Sequence, residues 1–344
     1  MMRKRGLVLL ILLAVLVILG PIGSFTLVQG ASTDSQVNPA PEESSPAFQV
    51  DFVSVPAAGV VSGNDLPSTL ITHQANFDGV GATDIAVWRP VDGIWYILPS
   101  SGGFQTVLWG LPGDIPVAGD YDGDKITDLA VWRPTEGNWY TLLTSTGLFN
   151  VIKWGRSNEG PVPGDYDGDG KTDLATWRPR TGIWHIFRSS NSTPLNQQWG
   201  QPGDFPVPAD YDGDNITDLA VWRPSIGTWF VILSGGGLLL QAWGLPGDVA
   251  VPADYDGDGL ADLGIWRPTE GNWYILFSSG GFSVQSWGLP DDKPVPADYD
   301  GDGKADLAVW RASEGNWYIL FSSGGFNVVS WGILGDIPTS ASGE

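Results

Sequence analysis

Asp165, Asp167, Asp169 and Asp173 occupy positions 1, 3, 5 and 9 of the stretch Asp-Tyr-Asp-Gly-Asp-Gly-Lys-Thr-Asp. A chain bent into a short loop brings four such carboxylates toward one point, where they force one another apart or take up protons unless neutralised. A hard cation resolves the conflict. Calcium accepts six to eight oxygens at roughly 2.3–2.6 Å in a tolerant geometry, and glycine at position 6 permits the turn that wraps a loop around it. The spacing opens like an EF-hand but ends differently. Position 12 is Thr176 rather than Glu, and the strand-like Asp-Leu-Ala-Thr-Trp follows where an EF-hand would start a helix.

The stretch recurs. Copies begin at Asn76, Asp120, Asp165, Asp210, Asp254 and Asp298, which makes a six-fold internal repeat. Beside Asp165, Asp167, Asp169 and Asp173, the candidate ligands are Asp120, Asp122, Asp124 and Asp128; Asp210, Asp212, Asp214 and Asp218; Asp254, Asp256, Asp258 and Asp262; and Asp298, Asp300, Asp302 and Asp306. Asp and Gly are also ordinary turn residues. Five copies that keep all four acids while intervening residues vary argue for a metal instead, and predict about five calcium ions. Lys125 and Asn215 replace Gly at position 6, and the first copy has Val80 in place of its third carboxylate. That first site is expected to be empty or weak.

Each loop must be held between strands. In the last unit Pro294-Val295-Pro296-Ala297 leads into the loop and Leu307-Ala308-Val309-Trp310 leaves it. A turn at Ser313-Glu314-Gly315-Asn316 precedes Trp317-Tyr318-Ile319-Leu320-Phe321, and Gly324-Gly325 precedes Phe326-Asn327-Val328-Val329-Ser330-Trp331. These are hairpin signals. The strands are apolar on both faces, as in a sheet covered on each side. The expected fold is all-β, a β-propeller of six four-stranded blades, with seven blades as the alternative. Asp336-Ile337-Pro338 repeats the start of a first strand, and residues 336 to 341 are expected to close the ring beside the first unit.

All 18 tryptophans lie in the repeats, three per unit, so packing between blades explains them better than six exposed sugar platforms. Arg89, Arg133, Arg178, Arg223, Arg267 and Arg311 each follow the first Trp of a unit and are expected to pair with a carboxylate of a neighbouring blade. No catalytic residues are predicted. The only histidines are His73 and His185, the latter standing where other units mostly have Tyr, and there is no cysteine.

The remaining chain supplies an address. Residues 1–30 combine a basic start, the apolar run Leu7 to Leu19 and Gly20-Pro21, the pattern of a signal peptide, with a retained N-terminal membrane anchor as the alternative. Residues 31–66 read in large part as a Ser/Pro/Glu-rich tether and 67–344 as the repeat domain. A secreted chain without cysteine has no disulfides, leaving packing and metal to hold it. Its net charge of −22 argues against nucleic acid and anionic membranes as partners, and twenty of its 39 acidic residues are the loop carboxylates.

With Asp165, Asp167, Asp169, Gly170, Asp173 and Leu174 filling Asp-x-Asp-x-Asp-Gly-x-x-Asp-Leu, the chain resembles the FG-GAP and VCBS repeat family, calcium-loop propellers that include the integrin α-subunit head. It departs from that family in having Trp-Gly, as at Trp243-Gly244, and Trp-Arg-Pro, as at Trp266-Arg267-Pro268. The resemblance implies a secreted or surface-displayed, non-catalytic binding or adhesion scaffold with an extracellular protein or glycan ligand. A lectin-like carbohydrate binder and a non-catalytic repeat region of an extracellular polysaccharide-processing system are the alternatives. Repeats discriminate one ligand where they differ, which singles out Arg156, Asn158 and Glu159 in the link after Trp154-Gly155, together with Arg180 in the next turn.

Overall fold

In the computed structural model, which describes residues 75–339, six four-stranded antiparallel sheets follow one another along the chain as the blades of a six-bladed β-propeller. The stretches read as signal or anchor and as tether, together with His73, lie outside the described residues. No helix among the described residues is long and apolar enough to cross a membrane.

The third blade represents the unit. Its inner strand is Gly160–Pro161, its second Leu174–Arg178, its third Ile183–Phe187 and its outer strand Pro194–Gln198. Inner strands form only two ladder pairs, because the sequence there is rich in proline, which cannot donate to a ladder. One further bridge, Gly164 to Asp173, pinches the base of the acidic loop. Strands two and three pair over five residues, setting Trp177 directly opposite Trp184. The turn between them needs a glycine with positive φ: Gly182 has φ 65°, and a Cβ there would lie 2.2 Å from the Gly200 carbonyl oxygen.

Burial grades outward across each blade. The second strand is buried or nearly so along its length, the third alternates, and the outer strand is largely exposed. Cover on both faces therefore holds for the second strand and not for the outer ones, which have no further strand beyond them. Phe104, Phe149, Phe282 and Phe326 instead stand exposed against the third Trp of an adjacent blade, with ring centroids 6.0–6.3 Å apart.

The tryptophans do pack the blades. Twelve of them, the first two of every unit, are fully buried. The third is half-buried and ties its blade to the next: the Trp154 indole N–H donates to the His185 carbonyl oxygen at 2.9 Å, and equivalent bonds run around the ring to Trp331 and Tyr96, 3.0 Å apart. Ring closure follows the expectation. Ile337–Pro338 pairs with Ile85–Arg89 and completes the first blade, with residues 340 and 341 outside the description. The arginine partners differ from expectation. Each guanidinium grips an acid beside the inner strand of its own blade, as Arg133 does with Asp114 at 2.7 Å and Arg223 with Asp204 at 2.7 Å. The short link before an inner strand delivers that acid to the same sheet rather than across the gap.

Candidate metal centre

The acidic loop joins the inner and second strands at one end of each blade. Position 1 shapes it. Asp165 Oδ1 accepts backbone N–H groups from Asp167, Gly168 and Asp169 at 3.3, 2.7 and 3.3 Å, and Oδ2 accepts from Gly170 at 2.8 Å. Such side-chain to backbone bonds are the usual device by which aspartate stabilises a turn. Two residues per loop take positive φ: position 4, a glycine in all six copies, and position 6. Lys125 and Asn215 adopt the position 6 conformation with φ 68° and 62°, so the non-glycine loops keep the shape, at a strain of about 1 kcal/mol for Lys125 and less for Asn215, a residue that tolerates this region.

Position 9 anchors the loop to the blade. Asp173 is buried; its Oδ2 accepts the Tyr166 N–H at 3.0 Å and its Oδ1 the Ser189 N–H at 2.7 Å. Burial pushes the Asp173 carboxyl up to about 7, and those of Asp128, Asp218, Asp262 and Asp306 up to about 6.

Within the loops the carboxylates converge in threes. Asp120, Asp122 and Asp128; Asp165, Asp167 and Asp173; Asp210, Asp212 and Asp218; and Asp254, Asp256 and Asp262 each offer oxygens within 4.8 Å of one another. In the sixth loop the set is Asp298, Asp300 and Asp302. The even convergence of four read from spacing is thus uneven: position 5 stands outside the first four sets and position 9 outside the last. Asp169 turns its oxygens toward the Ser189 hydroxyl and the Lys171 N–H. In the first loop Asn76 and Val80 leave only Asp78 and Asp84 as acids, one short of a triad, and Asp84 accepts the N–H groups of Phe77 and Ser100 as position 9 does in the other loops.

A hard cation fits this donor set. The Oδ1 atoms of Asp167, Asp212 and Asp256 are buried and have no hydrogen-bond partner. A buried carboxylate oxygen without a partner carries a desolvation cost that ion coordination removes. Carboxylate oxygens are the donors calcium prefers.

Sequence reasoning missed the turn between the third and outer strands, which reaches the same loop. Ser189 and Ser190 donate to Asp169 and Asp167, and Thr144 and Ser145 do so to Asp124 and Asp122. The recurrence of two small hydroxyl residues after most third strands was the available signal.

The loops are also joined to one another. The Thr172 N–H donates to the Asp120 carbonyl oxygen at 2.6 Å, the next loops repeat the bond, and Thr83 to Asp298 at 2.7 Å closes the circle. Six loops share one continuous hydrogen-bonded ring.

At the opposite end, Arg156, Asn158 and Arg180 are exposed on their link and turn. Glu159 is not available beside them. It is buried, with Arg178 Nη2 at 2.5 Å and the Thr176 hydroxyl at 2.7 Å, and takes the place that Asp holds in other blades. Its longer arm reaches the Thr176 hydroxyl, whereas Asp114 and Asp204 accept, besides the arginine, a backbone N–H of their own link, from Leu111 and Gln201. His185 is a packed substitution, with Nδ1 2.6 Å from Asn196 Oδ1 and Nε2 3.7 Å from Glu159.

The elevated position 9 acids make the ion-free fold sensitive to pH. Their pKa values in the fold lie above the ordinary 3.8, so folding favours the protonated form. That contribution is fully present below about pH 4 and is lost as pH rises through 6 to 7. In chelator the melting temperature should therefore be higher at pH 5 than at pH 8. In millimolar calcium the order should reverse, because the ion binds carboxylates in competition with protons. Thermal unfolding at both pH values, with and without calcium, is the check.

Two stretches, residues 120–176 and 254–309, match the model of the FG-GAP-like repeat. Both begin on the first aspartate of a loop, and the chain is consistent with an FG-GAP and VCBS-like repeat family. No curated protein matches this chain. Among solved structures, a lectin of Agrocybe aegerita that recognises non-reducing terminal N-acetylglucosamine is 13% identical, with 77% of this chain and 96% of the lectin covered and a TM-score of 0.52. A virginiamycin B lyase from Staphylococcus aureus is 11% identical, with 74% and 86% covered and a TM-score of 0.49. At 13% identity the likeness to the lectin is one of fold alone.

Proposed function

We propose that this six-bladed propeller with FG-GAP-like repeats is a secreted or surface-displayed calcium protein that serves as a non-catalytic binding scaffold. The observation that carries the calcium reading is the partnerless, buried Oδ1 of Asp167, Asp212 and Asp256, each belonging to a triad of carboxylates. The ions' role is structural: five loops of like charge are neutralised around one hydrogen-bonded ring. Ligand binding then falls to surfaces where blades differ, with Arg156, Asn158 and Arg180 as candidates, opposite the metal loops.

A glycan ligand is the second reading, and the exposed rings of Phe104, Phe149, Phe282 and Phe326 beside half-buried tryptophans favour it. Apolar ring faces next to polar rim atoms suit sugar stacking. The likeness to a lectin for terminal N-acetylglucosamine makes that sugar the first to try. A glycan array and a screen of extracellular proteins, each run with calcium and with chelator, separate the readings. Calcium-dependent binding to either class supports the scaffold. Binding that survives replacement of Arg156, Asn158 and Arg180 together excludes that patch.

A further inference from the structure

Resting on the calcium reading, we propose that the turn between the third and outer strands is a positioning element of each metal site. It holds the position 3 carboxylate by its Oδ2, and the position 5 carboxylate by a neighbouring hydroxyl, and so presents the position 3 Oδ1 to the ion. The turn reaches position 3 Oδ2 in every complete loop, and three of the five leave position 3 Oδ1 without a partner, while Asp122 and Asp300 each accept a backbone N–H there at 3.2 and 3.3 Å. In the third blade the Ser190 hydroxyl donates to Asp167 Oδ2 at 2.6 Å, while Asp167 Oδ1 is left buried and partnerless. Ser279 and Ser323 make the matching bonds to Asp256 and Asp300.

The fourth blade repeats the contact by another route. It has Gly235 where the others have a hydroxyl, and the Gly235 backbone N–H takes over, 3.1 Å from Asp212 Oδ2. Asp212 Oδ1 is again partnerless. A contact kept when the side chain that makes it elsewhere is missing belongs to the fold of the turn. The preceding residue of the turn grips two more acids: the Ser189 hydroxyl bonds Asp169, and its N–H bonds Asp173.

A carboxylate fixed through one oxygen has fewer orientations to lose when the other binds a cation. Outer groups that orient metal ligands typically contribute 10- to 100-fold in affinity. The opposite outcome has its own physics: if the hydroxyl competed with the ion for the carboxylate, removing it would tighten binding.

The test is the triple variant Ser190→Ala, Ser279→Ala and Ser323→Ala, titrated with calcium and followed by native mass spectrometry and by thermal unfolding. Three of the ions should bind about tenfold more weakly, consistent with the loss of an orienting group. Melting in chelator should change little. The Thr triple variant, which keeps the hydroxyl, should recover the affinity. Equal or tighter binding by the Ala variant overturns the inference while leaving the calcium reading intact. A wild-type protein that takes up no calcium at millimolar concentration overturns both. If the triple variant does not fold, Ser190→Ala alone should weaken one ion and leave the others unchanged, and an unchanged set overturns the inference equally.

Discussion

Transfer from millimolar calcium into chelator should lower the melting temperature by roughly 15 °C or more, and magnesium should not restore it. Extracellular calcium modules bind with dissociation constants of roughly 10⁻⁴ to 10⁻³ M. With free ion at about ten times that constant, linkage supplies about 1.4 kcal/mol per site and about 7 kcal/mol over five independent sites. Domains of 150–250 residues shift by about 2–4 °C per kcal/mol. The ion-free loops add repulsion among crowded carboxylates, most strongly at low salt, where screening is weak. Magnesium demands a tighter octahedron at about 2.0–2.1 Å and gives up its water reluctantly, so loops that must replace that water with several carboxylates suit calcium better.

Trp184→Ala should destabilise the fold by about 3–5 kcal/mol, the range for removing a large buried aromatic ring. Trp184 is fully buried, lies edge-on to Tyr166 with centroids 6.3 Å apart, and donates its indole N–H to the Trp199 carbonyl oxygen at 2.9 Å. Truncation leaves a cavity between blades and a carbonyl without that donor. The same change at Phe282, a residue 66% exposed, should cost under about 1 kcal/mol, since surface substitutions seldom move stability far. Chemical denaturation of the two variants in calcium separates the effects. Equal losses would mean that the tryptophans are not the packing elements they are taken for.

The parts of the fold that repeat were legible from sequence, because each recurrence of Trp-Arg or of an Asp-Gly loop is an independent statement of the same local geometry. Blade number and the closing role of Ile337–Pro338 follow from that. What periodicity does not carry is which side of a strand has a neighbour. Phe149 and Phe326 look as apolar as Trp139 and Trp317, yet the first pair lies on outer strands with nothing beyond them and the second is fully buried.

The site was legible in residue type and not in direction. Four acids at positions 1, 3, 5 and 9 look alike on paper, whereas Asp165 shapes its own loop, Asp173 holds the blade and Asp167 keeps an oxygen free. Ser190 was hidden for another reason: it lies 23 residues from Asp167 in the chain, across a whole hairpin. Glu159 misled because it differs from its counterparts, and the difference is one of arm length within a buried ion pair rather than of surface chemistry.

The most direct measurement is a count of bound calcium by native mass spectrometry, on the protein without residues 1–30, in millimolar calcium. The account predicts about five ions, four in Asp167→Ala and in Asp300→Ala, and an unchanged number in Asp78→Ala, following the coordination expected of complete acidic loops. No bound ion, or a count that Asp167→Ala leaves untouched, would contradict it.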